Sequence, residues 1–240
     1  MDQPTARPDT TIPGVVVTVD AGAVIVRAEQ PLEVLSSAPT GGGRARASAI
    51  VNMHVDDVDP DTSPQAELAG FAARRGVGEA FVGLMTAAVT RYARLAVARD
   101  GELTVASVVS VGLSNTERAG TTPAASPAPG AAEAPAPGTI NAIVLIDGRL
   151  GEAAMVNAVI TATEAKSAVL AEWDVRTPDG DPATGTSTDA VVIACTGRGD
   201  ALPYAGPATP VGHLVARTVR DAIAGVCRDK VARDGGRSGW

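Results

Sequence analysis

Residues 139–147 read TINAIVLID, residues 151–173 read GEAAMVNAVITATEAKSAVLAEW, and residues 190–195 read AVVIAC. The outer two are short apolar runs rich in β-branched residues, which suits buried strands. The middle one is Ala-rich and free of Pro, and its length predicts a helix with Met155, Val159, Thr163, Lys166 and Leu170 on one stripe. A second amphipathic pattern at 210–227 predicts a closing helix, so this half of the chain alternates strand, helix, strand, helix.

Reading outward toward the N-terminus, strand-like runs come close together. Residues 15–19 and 23–28 flank Asp20-Ala21-Gly22, a tight hairpin signal, and further strands are expected at 32–36, 47–55, 82–94 and 103–113. A short helix is expected at 64–75 with Ser63 as its cap. Adjacent strands followed by the alternating half predict an α+β fold, a single domain with a mixed, largely antiparallel sheet and packed helices. The expected limits are a disordered N-terminus at 1–12, the domain at 13–227 and a flexible tail at 228–240. Within the domain, TTPAASPAPGAAEAPAPG at 121–138 holds five prolines and no large apolar residue, so a flexible loop is expected there. If the strands on either side of it pair, it is an insertion at the tip of a hairpin.

Composition narrows the partners. The 240 residues carry a net charge of −7 and only two Trp, two Tyr and two Phe, with the apolar content mainly Ala and Val. An acidic surface repels phosphate backbones and few rings are present to stack on bases, so nucleic acid is not an expected partner. No apolar run has the roughly 18 residues of a membrane span, and no signal-like start is present, so no membrane association and a cytoplasmic location are expected. Cys195 and Cys227 fit neither a disulfide framework nor a metal spacing and read as buried inert thiols. His54 and His213 read as structural or solvent-facing, and no HExxH spacing occurs.

Rarity then singles out residues. Lys166 and Lys230 are the only lysines among 20 basic residues, and Lys166 lies three positions after Thr163 on the long helix. Partial burial there would suit it to act as a base or to activate a hydroxyl; the plain alternative is a lysine snorkelling from the stripe's edge. The four asparagines, Asn52, Asn115, Asn141 and Asn157, each offer a donor and an acceptor that could grip a ligand's amides, or could simply satisfy turns. Residues 184–189, TGTSTD, place hydroxyls, Gly185 and Asp189 before a buried strand. That turn could supply backbone N–H groups to an oxyanion or be an ordinary Ser/Thr turn.

GLMTAA at 83–88, SNTERAG at 114–120, GTIN at 138–141, NAVITATEAK at 157–166 and ATGTSTD at 183–189 together resemble the adenosylcobinamide amidohydrolase family, in order and in spacing apart from the Pro/Ala insertion. The resemblance covers residues 41–223. It implies hydrolysis of the amide joining 1-amino-2-propanol to the corrin of adenosylcobinamide, giving adenosylcobyric acid in corrinoid salvage for cobalamin biosynthesis. Lys166 or Glu164 is expected to activate a hydroxyl or water, and with Asp189 these are the candidate catalytic residues. The candidate substrate-binding residues are Asn52, Thr86, Ser114, Asn115, Thr116, Glu117, Asn141, Asn157, Thr163, Thr186 and Thr188. The corrinoid is the substrate, no cofactor or metal is expected, and homo-oligomerisation is left open. The alternative is a corrinoid-binding protein that has kept the fold and lost catalysis. At 100° per residue Glu164 lies about 160° around the helix from Lys166, so only one of them faces the site, and Lys166 with Thr163 is expected to face the sheet.

Overall fold

The computed structural model of the chain describes residues 6–56, 62–121 and 138–235. The elements in chain order are β1 (Val15–Val19), β2 (Ala23–Ser36), β3 (Gly43–His54), α1 (Pro64–Arg74), β4 (Phe81–Thr86), β5 (Arg94–Asp100), β6 (Leu103–Val111), β7 (Thr116–Glu117), β8 (Ile140–Asp147), β9 (Arg149–Leu150), α2 (Glu152–Glu172), β10 (Gly185–Thr186), β11 (Ala190–Cys195), β12 (Ala201–Leu202) and α3 (Pro210–Arg233). They form a single α+β domain, and its large sheet runs β4-β3-β2-β11-β8-β6-β5 with β1 also paired to β2. The β3–β4 and β8–β11 pairs are parallel and the remaining pairs of this sheet antiparallel, so the sheet is mixed and largely antiparallel as expected.

Alternation along the strands builds two surfaces. One carries the helices: Val105, Val109, Val144, Ile146 and Ile193 meet α2 and α3, while Ile25, Val51 and Met53 meet Leu68 and Ala72 of α1. The other carries Val24, Val26, Val34, Ile50, Leu84, Val108, Ile143, Leu145 and Val192 and forms one continuous core. Residues of β3 and β4 share that core with residues of β6 and β8, although two strands separate β3 from β8 in the sheet order. The sheet is therefore curled over its own inner face. Aliphatic side chains, from Ala to Leu and Ile, fill that space with no ring among them.

The curl is fastened at one end by amides. Asn52 of β3 and Asn141 of β8 are each 1% exposed and lie on the inner face. Asn141 Nδ2 donates to Asn52 Oδ1 and to Met85 O, both at 2.8 Å, and Asn52 Nδ2 donates to Ser110 Oγ of β6 at 2.9 Å. Four strands are thus joined across the inner face by groups that would otherwise be buried without partners.

Several expectations are revised. Residues 23–28 and 32–36 are one strand, β2, with a bulge between Arg27 and Leu32. Residues 82–94 divide into β4, a 3-10 turn at Thr90–Tyr92 and the start of β5; the break is held by Thr90 Oγ1, which donates to Asp20 O at 2.8 Å. The last helix does not stop at Cys227 but continues to Arg233, fixed by ion pairs from Asp229 to Arg94 of β5 and from Lys230 to Asp234. Residues 6–12 are described: Ala6 bridges Val19 by two 2.8 Å backbone bonds, and Ile12 is 3% exposed. On α2 Met155 and Leu170 of the expected stripe are buried, together with Ala154, Ala158, Thr161, Ala162 and Val169, whereas Thr163 is exposed and its hydroxyl donates back to Val159 O at 2.8 Å. Residues 122–137, most of the expected loop, lie outside the described residues, but β6 and β8 do pair across them, with Val111 opposite Ile140.

Asn141→Ala is expected to leave Asn52 Oδ1 and Met85 O without donors, costing about 2–3 kcal/mol and lowering the melting temperature by roughly 4–10 °C. Thermal unfolding followed by circular dichroism checks this, and an unchanged midpoint would remove the amide fastening from the account.

Candidate functional site

The same end of the sheet gathers the ends of β3, β4 and β6 and the starts of β8 and β11, with His54 opposite Thr86, Val111 opposite Ile140 and Ala190 opposite Asn141. Because β8, α2 and β11 form a strand-helix-strand unit with parallel strands, α2 runs back toward this end. Lys166, in its second half, therefore hangs above the turn that precedes β11. Its Nζ forms an ion pair with Asp189 Oδ2, and each side chain is 14% exposed.

Asp189 is held from three directions. Oδ1 accepts from Ile140 N of β8 at 3.0 Å and from Thr186 Oγ1; Oδ2 accepts from Thr186 N at 3.2 Å and from Lys166. Four donors match the acceptor capacity of one carboxylate, so Asp189 is fully engaged and fixes Lys166 relative to the turn. Gly185 lies directly under the pair: a Cβ there would overlap both Asp189 Oδ2 and Lys166 Nζ.

The Ser/Thr turn is stitched to the neighbouring segments. β10 pairs with β7, setting Gly185 opposite Glu117 and Thr186 opposite Thr116. Thr184 N donates to Glu117 O at 2.9 Å, Thr116 Oγ1 to Arg176 O at 2.8 Å and Ser167 Oγ of α2 to Thr184 O at 3.0 Å. Thr188 Oγ1 donates to Gly138 O at 2.7 Å. Thr139 Oγ1 lies 2.8 Å from Thr188 O and 3.2 Å from Asn141 Oδ1, sharing its one proton between them. Asn115 Nδ2 donates to Ser187 Oγ at 2.8 Å, while Asn115 Oδ1 is buried beneath Gly138 with no donor. Two backbone N–H groups of the turn are committed, Thr186 N to Asp189 and Ser187 N to Asn115 O at 3.3 Å. Neither of these two is free to serve as the oxyanion donor that the sequence suggested, and the Lys166 ammonium stands beside them as a positive group.

The structure thus brings together Lys166, Asp189, Thr186, Thr188, Asn115, Thr116, Glu117 and Asn141, with Asn52 and Thr86 in the layer beneath. Asn52 and Asn141 spend their amides on each other, and Thr86 Oγ1 accepts from Ala88 N at 3.0 Å. Glu164 and Thr163 are exposed, away from the Lys166 pair. Asn157 is half-buried nine residues before Lys166, about 13 Å along the helix axis. Sequence reasoning passed over Ser110 and Ser167, whose hydrogen bonds to Asn52 and to Thr184 O have no compositional signal, and it gave no role to the close approach at Gly185 and Gly138. It also set aside His54: its Nδ1 lies 3.2 Å from Thr86 O and 3.1 Å from Ala88 O, so that nitrogen carries a proton and pins the turn after β4.

Beside this cluster opens a cleft of about 440 Å³ between the turn after β4, the end of β6 and the last turns of α3. Ala88, Leu113 and Val226 form its walls, Ser114 joins it to Asn115, and Tyr92, Lys230 and Arg233 stand at it. Arg233 covers the Tyr92 ring, its guanidinium carbon 3.8 Å from the centroid. The hydrogen bond from Arg91 to the Tyr92 hydroxyl at 3.2 Å, with the charges of Arg91 and Arg233, holds that phenol below its usual range. Burial pushes the Cys195 thiol up to about 12 and the Cys227 thiol to about 11, so both are protonated at neutral pH and neither offers a nucleophilic thiolate.

Two outcomes follow. Gly185→Ala should reduce turnover at least tenfold by prising Lys166 from Asp189, with little change in far-ultraviolet circular dichroism; a fully active variant would show that the pair is not needed in register. Iodoacetamide at pH 8 should leave both cysteines unmodified in the folded protein and alkylate both in denaturant, as read by mass spectrometry.

Comparison with known proteins adds the context. The family model described as adenosylcobinamide amidohydrolase matches residues 9–234. A Halobacterium salinarum protein named adenosylcobinamide amidohydrolase is 38% identical over 194 residues, covering 76% of this chain and 74% of that one. One of the same name from Methanosarcina mazei is 33% identical over 191 residues, covering 76% and 84%. Among solved structures, the PH0078 protein from Pyrococcus horikoshii OT3 aligns with a TM-score of 0.49 at 11% identity, over 95% of this chain and 90% of that one. With the family model spanning nearly the whole described chain and two such relatives alongside, this chain belongs to the adenosylcobinamide amidohydrolase family, hydrolases that act on an amide bond.

Proposed function

We propose that the chain hydrolyses the amide joining 1-amino-2-propanol to the corrin periphery of adenosylcobinamide, releasing adenosylcobyric acid for corrinoid salvage in cobalamin biosynthesis. The observation that carries the reading is the Lys166–Asp189 ion pair at the point where four of the five family-like segments converge, those at 114–120, 138–141, 157–166 and 183–189. An amide is a poor electrophile, so its hydrolysis needs a positive group at the carbonyl oxygen and a proton for the departing amine.

Lys166 supplies both in this scheme. Its ammonium faces the carbonyl oxygen, where negative charge develops as water adds to the carbonyl carbon. The carbon–nitrogen bond then breaks, the amine nitrogen takes one proton from Nζ, and the proton shed by the attacking water restores the ammonium. Asp189 is a positioning residue: saturated by four donors, it orients Lys166 rather than taking up a proton itself. Thr188, Asn115 and Ser114 border the site and are the groups that hydrogen-bond the substrate's amide rim. Glu164, on the exposed side of α2, takes no part.

Release of 1-amino-2-propanol from adenosylcobinamide tests the scheme. Lys166→Ala should lose 10²–10⁴-fold in kcat, Asp189→Ala should fall with it, and Glu164→Ala should stay near wild type. Full activity in both of the first two variants would end the mechanism. Retention of unchanged adenosylcobinamide by the wild-type protein would instead mark a binder that has lost catalysis. The scheme draws on no metal, and dialysis against a chelator should leave the rate unchanged.

A further inference from the structure

The cleft beside the catalytic cluster is too small for a corrin. At about 440 Å³ it falls in the lower part of the range that holds drug-sized ligands, enough for one nucleoside-sized group. Ala88, Val89, Val111, Leu113 and Val226 give it an aliphatic lining. Its lining includes Tyr92, one of the two tyrosines of a chain that has six aromatic residues in all. Arg233 and Arg91 both lie over that ring, their guanidinium carbons 3.8 and 4.9 Å from its centroid, so flat groups are already stacked there and the Arg233 guanidinium offers a plane on which a further aromatic layer can rest. Ser114 and the Lys230–Asp234 pair border the same space and offer partners for hydroxyls. The cleft is also continuous with the reacting region: Ser114 packs against Gly138, which covers Asn115, and Asn115 bonds Ser187 of the turn that ends in Asp189.

We infer that this cleft is the subsite for the adenosyl group of the corrinoid, with Tyr92 and Arg233 as specificity-determining residues that stack on the purine. The inference rests on the reading of the chain as acting on adenosylcobinamide. The macrocycle then lies across the cleft mouth with one edge over the Lys166 cluster, held by aliphatic contact and hydrogen bonds, and aromatic stacking is confined to the nucleoside. Discrimination between adenosylated and unadenosylated corrinoids is thereby separated in space from the chemistry at the amide.

The experiment compares kcat/KM for adenosylcobinamide and for cobinamide carrying cyanide in place of the adenosyl group, in the full-length protein. Wild type should prefer the adenosylated substrate. Tyr92→Leu should cut the adenosyl-to-cyano ratio about tenfold, chiefly through KM, as loss of one stacked base would. Tyr92→Phe, which keeps the ring, should retain the ratio, and Ala87→Leu, which narrows the cleft from another wall, should lower it. A wild type that does not discriminate, or variants that leave the ratio unchanged, would overturn the inference. If wild type releases no aminopropanol from either corrinoid, the hydrolytic reading falls. Equilibrium dialysis with the same two corrinoids then tests the subsite alone, a selective loss of adenosylcobinamide affinity in Tyr92→Leu supporting it and a parallel or absent loss refuting it.

Discussion

Everything at the functional end depends on how tightly the sheet can curl. Its inner face is filled by Val, Ile, Leu and Ala, and the two margins close until Asn141 of β8 reaches both Asn52 of β3 and the carbonyl of Met85 in β4. A bulkier inner face would hold β4 and β8 apart. The amide bridges would then be lost, and with them the juxtaposition of the turn after β4 with the start of β8. The unusual composition and the assembly of the site therefore have one cause.

On this frame the strand-helix-strand unit does the local positioning. α2 leaves the far end of β8 and returns over the sheet, bringing Lys166 to the residue that begins β11's approach, Asp189. The carboxylate ties helix, strand and turn together through bonds to Lys166, Ile140 N and Thr186. α3 also ends here, and its last turn carries Lys230 and Arg233, cations that suit the negative end of a helix dipole and face the neighbouring cleft.

Much of this was legible because it is local. The β6–β8 pairing across the Pro/Ala segment follows from two apolar β-branched runs, and Lys166 stood out as one of two lysines. The facing of α2 was not legible. A helix whose apolar residues are spread around much of its circumference carries almost no directional signal, so the stripe through Thr163 and the one through Ala158 were equally good readings until packing chose the latter. The asparagines show a different limit. An amide that bonds another buried amide and one whose oxygen is left without a donor are the same letter, and only the closing of the sheet distinguished Asn52 and Asn141 from Asn115. The end of α3 was missed because its last residues are charged, which reads as a tail until Asp229 meets Arg94.

The strands that flank the Pro/Ala segment are clamped below it. Val111 pairs with Ile140, and Gly112 N donates to Thr139 O at 2.9 Å, so the chain is registered before it departs and as soon as it returns. Foreign sequence inserted between Thr121 and Gly138 would be isolated from that register. This makes the position a natural graft point for a foreign domain, joined to the site through Gly138, which rests on Ser114 and Asn115.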